Sequence, residues 1–490
     1  MSAAAAIVEG VEVPLDHYID GRRVASGRRL EVRSPIDWDG WLLGEVAAGG
    51  VDEVDAAVAA ARRAFPGWAA LGADGRLEVL SRLADEIDAA VGELARVECV
   101  DNGSLHEAMS LRVLPRAANN IRFFARFAAQ RLDEGERTLP GGERNRVRHE
   151  PCGVVAVSTP WNAPFMLATW RVGPALAAGN TVVLKPPEWA PLTCSLLGDM
   201  AERAGLPPGV LNIVHGTGAQ AGAPLTGHPG VDRVAFTGSP ATARTVYRDA
   251  AAHLTPVSFE LGGKSPLIVF DDADLDAAAA TAAYQYDNAG QVCLAATRLL
   301  VHAPVLEPFM ERFCARVAEI RVGDPREPAT SYGPLIHPVA LERVRGHVAR
   351  ALEQGARLAF GGEPLGGLYY PPTLFCDLRA DADILTREVF GPVLTLQSFG
   401  EEAEAIALAN GTPYGLAATV FTGSQARAAR VSAAVVAGTV WVNCFYVRDL
   451  ETPFGGARES GIGREGGRHS FDFYCDVKTV CERTALFTEP

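Results

Sequence analysis

Three short stretches of the chain carry side chains suited to covalent chemistry at a carbonyl. "NAGQVCLAATR" sets Cys293 after a glycine-containing turn and before small residues that leave room beside the sulfur. A thiolate is the strongest nucleophile among ordinary side chains, although a cysteine on its own is more often inert filler. "SFELGGKSP" ends a strand-like run on Glu260, followed by two glycines that permit close backbone approach. Alone, that carboxylate also reads as a solvated strand end. "STPWNAPF" holds Asn162 between Pro160 and Pro164, where its amide either bonds its own turn or donates to an oxyanion.

A second group of motifs suits a phosphate-bearing ligand. "VLNIVHGTGAQAG" offers Gly216-x-Gly218-x-x-Ala221 directly after a strand, formally a dinucleotide fingerprint, though glycine-rich turns of this kind are common. "VAFTGSPATAR" also reads as strand, turn and helix, with Ser239 as N-cap and Pro240 at the first helical position. Either helix N-terminus can receive a phosphate. "NTVVLKPPEWAP" brings Lys185 and Glu188 to the carboxyl edge of a strand, a ligand-binding edge in parallel sheets, or leaves them as a solvated pair. "TREVFGPVL" carries Glu388 and Phe390 before a Gly-Pro turn, and "PFGGARESGIGREGG" has the glycine content of a tight loop lying close to a ligand or another chain.

The elements that must position these groups follow from periodicity. β-rich runs ("GVVAVSTP", "NTVVLKPP", "VLNIVHG", "VDRVAFTGS") alternate with amphipathic segments such as "LTCSLLGDMAERAG". This is the pattern of βαβ units and a parallel sheet. It resumes at "SPLIVFDDADLDAAAATAAYQ", where the aspartates offer helix N-caps, so a second α/β domain is expected from about Leu261. "VDEVDAAVAAARRAF" and "RLEVLSRLADEIDAAVGELARVE" predict long helices over one face of the first sheet.

Composition narrows the class of protein. The 490 residues suggest two or three domains, and 48% hydrophobic against 21% charged residues is globular rather than disordered. A net charge of −14 with no basic run disfavours nucleic acid. No stretch reaches about 18 consecutive apolar residues, and "MSAAAAIVEG" lacks a basic leader, so no membrane partner and a cytoplasmic location are expected. The nine cysteines form no C-x-x-C pair or Cys/His cluster, which predicts reduced thiols and no metal site.

Taken together, PWN, GNTVVLKPPE, FTGS, ELGGKSP, GQVC, EVFGP and PFGG…SGIGRE resemble the aldehyde dehydrogenase superfamily, in its order and over almost the whole chain. The resemblance implies an α/β protein with a Rossmann-like NAD-binding domain (1–127 and 149–260), an α/β catalytic domain (261–440) and a small β oligomerisation extension (128–148 and 470–490). It implies a homodimer or homotetramer. Cys293 would be the nucleophile, Glu260 the general base, Asn162 the oxyanion donor and Glu465 a proton-relay carboxylate. Lys185 and Glu188 would contact the adenosine ribose, Gly238 and Ser239 the pyrophosphate, and Glu388 the nicotinamide ribose, with Phe390 and Trp161 beside the cofactor. The "FTGS" turn would then serve instead of the Gly216 stretch. Pro240 and Ala243 depart from the threonine and glycine usual there.

"TPWNAPFMLATW", "VRDLETPFGG" and "SGIGREGGRHSFDFYCDVKTVC" most resemble the muconic-semialdehyde branch. That resemblance implies a small-molecule aldehyde carrying a carboxylate, held by Arg116 and Arg448 with Phe454 at the substrate, and oxidation to the acid through a thiohemiacetal and thioester. The alternatives are neutral aliphatic or aromatic aldehydes, with Asp449 or Glu451 neutralising Arg448. A coenzyme A-acylating enzyme has less use for Glu260. A cysteine hydrolase wants a histidine base that none of the ten histidines recommends, and a binding protein has no need of the full Cys293, Glu260, Asn162 set.

Overall fold

The computed structural model describes residues 4–132 and 135–483. Two large sheets organise it. The first has eight strands, in the order Gly461–Ile462, Val257–Leu261, Arg233–Gly238, Val154–Ser158, Thr181–Lys185, Leu211–Ile213, His17–Ile19 and Arg22–Val24. The five central strands are parallel and the flanking ones antiparallel. The chain moves outward from Val154–Ser158 to Leu211–Ile213, then returns to place Arg233–Gly238 on its other side. This reversal makes a crevice at the carboxyl ends of Val154–Ser158 and Arg233–Gly238, the usual ligand position in an open α/β sheet. The Asn162 loop leaves one of these strands and Ser239 follows the other.

Alternation along the strands feeds both faces. Val155, Val157, Val182 and Leu184 pack with the helices Pro164–Ala178 and Leu192–Arg203, while Val154, Ala156 and Val183 pack with Val51–Ala70 and Pro240–Ala251. Of the long N-terminal helices, Val51–Ala70 does cover the sheet. The other stretch departs from expectation: it breaks at Ala90 into Gly72–Ala89 and Val91–Asn102, and Gly72–Ala89 packs on Leu114–Arg131 in an outer layer. Its apolar stripe (Val79, Leu80, Leu83, Ile87) meets another helix because Pro164–Ala178, buried along nearly its whole length, already occupies the sheet face.

The second sheet has seven strands, in the order Arg357–Phe360, Thr373–Cys376, Val393–Phe399, Arg298–His302, Pro266–Val269, Ala417–Phe421 and Thr439–Val442, parallel except for the first pair. Asp274 caps the helix Leu275–Tyr284, accepting from the Asp276 and Ala277 N–H groups. That helix leads through Asp287–Gly290 and Cys293 into Arg298–His302. Beyond the second sheet the chain returns to the first, adding Gly461–Ile462 to its edge. A separate three-stranded antiparallel sheet joins Glu136–Thr138, Arg144–Pro151 and Cys475–Glu482, while residues 128–131 finish a helix and 470–474 end another. Asp133, Glu134 and residues 484–490 of the expected extension lie outside the described residues. Among the described residues, no helix is long and apolar enough to cross a membrane, and no group of side chains is arranged to hold a metal ion.

Candidate active site

Cys293 lies on a loop held in an unusual conformation. Asn288, Ala289 and Gly290 have φ of 51°, 54° and 68°, three consecutive left-handed residues. Only glycine fits at 290, because a Cβ there would collide with the Gly391 carbonyl as well. The Ser104 hydroxyl donates to Asn288 Oδ1 at 3.2 Å and the Gln285 carboxamide accepts from Ala296 N–H at 2.7 Å, pinning the loop on both sides.

This loop forms one wall of a cavity of about 290 Å³. Cys293 and Asn162 both line it, together with Arg116, Arg448 and Phe454. Asn162 reaches it because Pro164 starts the buried helix Pro164–Ala178 and leaves the Asn162 side chain at its mouth. One Nδ2 hydrogen donates to the Gln291 carbonyl at 2.9 Å, leaving the second free to donate. The Cys293 N–H has no carbonyl partner among the described residues. Burial, then the Glu260 and Glu388 carboxylates, push the thiol up to about 12, against the Arg448 guanidinium and the Leu294 N–H.

Glu260 is buried at the end of its strand, and its Oε1 has no partner. Burial and the nearby Glu465 carboxylate raise it well above the ordinary carboxylate range, despite Arg171, Arg448 and Arg464. Glu465 is placed apart from the cavity, in the core: Oε1 accepts from Arg171 Nη1 and Oε2 from the Trp170 indole at 2.5 Å. Its strand-like neighbourhood pairs with Phe454 in both directions, Phe454 N–H to the Glu465 carbonyl and the reverse, each 2.7 Å.

The phosphate-type motifs gather along the first sheet. Lys185 is buried, its Nζ 3.5 Å from Glu188 Oε2, and burial lowers it. The same Glu188 oxygen accepts from the Gly218 N–H at 2.9 Å. The Gly216 stretch therefore opens a single wide turn, Gly218–Gly222, and a four-residue helix beside Glu188. Ser239 instead caps the twelve-residue helix Pro240–Ala251, with Pro240 at its first position and Gly238 ending the strand before it. Glu388 accepts from the Gly263 N–H at 3.0 Å and is raised to about 7 by burial, against that N–H, Arg343 and Lys264. Its carboxylate lies where a side chain at Gly262 would stand. The Trp161 and Phe390 rings meet edge to face, centroids 5.3 Å apart.

Arg448 lies with its guanidinium 3.6 Å from the Phe454 ring centroid and 5.6 Å from that of Trp170. Neither Arg448 nor Arg116 has a carboxylate partner among the described residues. Glu451 instead pairs with Arg131, and Asp449 Oδ1 accepts from the Glu451 N–H at 2.9 Å. Burial lowers Arg448 to about 10, and repulsion from Arg116 adds to it. Sequence reasoning passed over Trp170, Arg112, Tyr284 and Asp287, all on the cavity wall. Two had a signal: Trp170 follows Met166 by one helical turn, and Arg112 precedes Arg116 by one.

Residues 23–480 match the model of the aldehyde dehydrogenase family. The chain is 43% identical over 482 residues to a 2-hydroxymuconic semialdehyde dehydrogenase of Pseudomonas sp. (strain CF600), covering 95% of this chain and 99% of that one. It is 38% identical over 476 residues to the human 2-aminomuconic semialdehyde dehydrogenase, covering 95% and 97%. Among solved structures, the indole-3-acetaldehyde dehydrogenase AldA of P. syringae, in complex with NAD+ and IAA, superposes with a TM-score of 0.94 at 37% identity, covering 97% of each chain. A match spanning both sheets, the cavity loop and the glycine-rich returning segment leaves one conclusion: the chain belongs to the aldehyde dehydrogenase family and is an oxidoreductase acting on aldehydes.

Proposed function

We propose that the protein oxidises an aldehyde bearing a remote carboxylate, of the muconic-semialdehyde type, to the corresponding acid with NAD, through an acyl group carried on Cys293. The observation that carries the reading is the meeting, in one cavity, of Cys293 and Asn162 with two guanidinium groups, Arg116 and Arg448, that form no ion pair with a carboxylate among the described residues. A guanidinium binds a carboxylate through paired N–H donors, so a substrate acid supplies the missing counter-charge. The names of the two muconic semialdehyde dehydrogenase relatives point the same way.

The chain's own residues divide the work. Cys293 adds to the carbonyl carbon, and the free Asn162 Nδ2 hydrogen with the Cys293 N–H holds the oxyanion. Glu260, unpartnered at Oε1, takes the proton of the water that releases the acid from sulfur. Glu465, near enough for its charge to raise Glu260, serves as the proton acceptor behind it.

NAD suits the residues present. The Ala241 N–H at the start of Pro240–Ala251, with Gly238 and Ser239, fits a pyrophosphate, Lys185 and Glu188 a ribose, and Glu388 a second ribose beside Phe390 and Trp161. When bound it supplies the hydride acceptor. Glu188 favours NAD over NADP, since a carboxylate accepts from ribose hydroxyls and repels a 2′-phosphate. For assembly, the exposed outer edge of Cys475–Glu482, with Val477 57% exposed, supports a dimer or tetramer built through the small sheet.

A second reading, neutral aldehydes, is favoured by the apolar wall of Met166, Leu167, Trp170 and Phe445. The deciding experiment follows NADH formation with 2-hydroxymuconic semialdehyde, benzaldehyde and hexanal, with and without coenzyme A. The acid aldehyde is expected to have the highest kcat/KM, with no dependence on coenzyme A. Equal turnover of hexanal removes the substrate class, and a coenzyme A requirement removes hydrolysis by Glu260.

A further inference from the structure

The cavity holds a third arginine. Leu105, Ala108, Met109, Arg112, Val113 and Arg116 form one stripe along its wall. They recur at helical spacing on a continuous helical run that widens into a π turn at Met109–Val113, a kind of irregularity common at functional sites. Arg112 therefore stands roughly one turn, about 6 Å along the axis, from Arg116. It is exposed at the mouth, unlike the half-buried Arg116 and Arg448.

Arg112 is also held in place. Its Nη1 donates to the Tyr284 hydroxyl at 2.9 Å, and the half-buried Asp287 carboxyl is near enough to act electrostatically on both groups. Tyr284 ends the helix Leu275–Tyr284, and Asp287 begins the left-handed turn that leads to Cys293. All three side chains face the same cavity. A structural ion pair alone would place Asp287 directly on Arg112. Here the phenol is the hydrogen-bond partner of Arg112, and among the described residues the guanidinium makes no ion pair, so most of its donors remain open.

We propose that Arg112, fixed by Tyr284, is a specificity-determining residue that reads a second acidic group at the distal end of the substrate, so that acyclic aldehydes with two carboxylates are preferred over those with one. The inference rests on the proposed reading that Arg116 and Arg448 hold the first carboxylate. Two carboxylates then meet three guanidinium groups spread from beside the sulfur to the mouth, and the doubly charged aldehyde brings a counter-ion to each end of the stripe. Tyr284 orients Arg112 and does not itself need to touch the substrate.

The test compares kcat/KM for hexanal (no carboxylate), succinic semialdehyde (one) and 2-(2-oxoethyl)butanedioate (two), in the wild type, Arg112→Met, Tyr284→Phe and Arg112→Lys. The wild type is expected to favour two carboxylates over one. In Arg112→Met that ratio falls roughly tenfold, as loss of one charge-assisted contact implies, chiefly through KM. Tyr284→Phe lowers it by a smaller factor, and Arg112→Lys recovers part of it. An unchanged ratio in both Arg112→Met and Tyr284→Phe overturns the proposal, even where the wild type still prefers succinic semialdehyde to hexanal. Equal use of hexanal and succinic semialdehyde by the wild type instead defeats the underlying reading of Arg116 and Arg448.

Discussion

Arg171 and Glu465 form a buried ion pair beside the first sheet, with side chains 1% and 3% exposed. Trp170 closes the other carboxylate oxygen, and Ser258 and Thr237 take further Arg171 donors at 3.1 and 3.0 Å. Removing one partner of such a pair strands a buried charge. Arg171→Leu is expected to destabilise the protein by about 3–5 kcal/mol at neutral pH. Burial already raises Glu465, and losing Arg171 raises it further, so the folded variant binds a proton that the unfolded chain releases. Its deficit should shrink on acidification and grow as pH rises. Urea unfolding at two pH values checks the sign, and a deficit that does not change with pH contradicts it.

Arg448 stacks on Phe454 and lines the same cavity as Arg116. Arg448→Ala is expected to raise KM for an acid aldehyde roughly 10- to 100-fold, as loss of a charge-assisted pair implies. Hexanal should gain or change little, since two cations no longer crowd an apolar wall. An unchanged KM for the acid aldehyde defeats the carboxylate clamp.

Glu188 accepts from Gly218 N–H, and Glu188→Gln keeps an acceptor there while removing the charge. The ratio of kcat/KM for NAD to that for NADP should fall roughly tenfold. If the ratio is unmoved, Glu188 is only a hydrogen-bonding residue of the loop edge.

The parallel order of both sheets was legible in the sequence because their strands are buried on two faces and read as continuous apolar runs, such as "VVAV" and "PLIV". Ser239 was legible as a cap, since Pro240 after a serine has few other uses. The outer helix layer was not: Val79, Leu80 and Leu83 show an apolar stripe, but a stripe does not say whether it meets a sheet or a helix. Nor was the Tyr284–Arg112 contact, which joins residues 172 positions apart. The left-handed Asn288 and Ala289 were equally hidden, because alanine has no local preference for that conformation.

The thiol and its two acidic neighbours make the last prediction one of pH. Burial first, and then Glu260 and Glu388, push Cys293 up to about 12, so without cofactor it is almost wholly protonated at neutral pH. Only the thiolate is alkylated, so modification of Cys293 by iodoacetamide, followed by peptide mapping to separate it from the exposed Cys314 and Cys481, should rise about tenfold per pH unit across neutrality. Glu260 is itself raised by burial and by Glu465, and is therefore largely uncharged at neutral pH. Glu260→Gln should leave alkylation near neutral pH little changed. It should accelerate alkylation at alkaline pH, where the wild-type carboxylate has ionised beside the sulfur. The same titration governs release of the acid: wild-type turnover rises with pH as Glu260 loses its proton, whereas Glu260→Gln keeps a single burst of NADH and no pH-dependent turnover. Cys293→Ala abolishes burst and turnover together while retaining NAD binding. A variant at Glu260 that loses the burst as well shows that this carboxylate also prepares the thiol, and one that turns over normally removes it from the hydrolytic step.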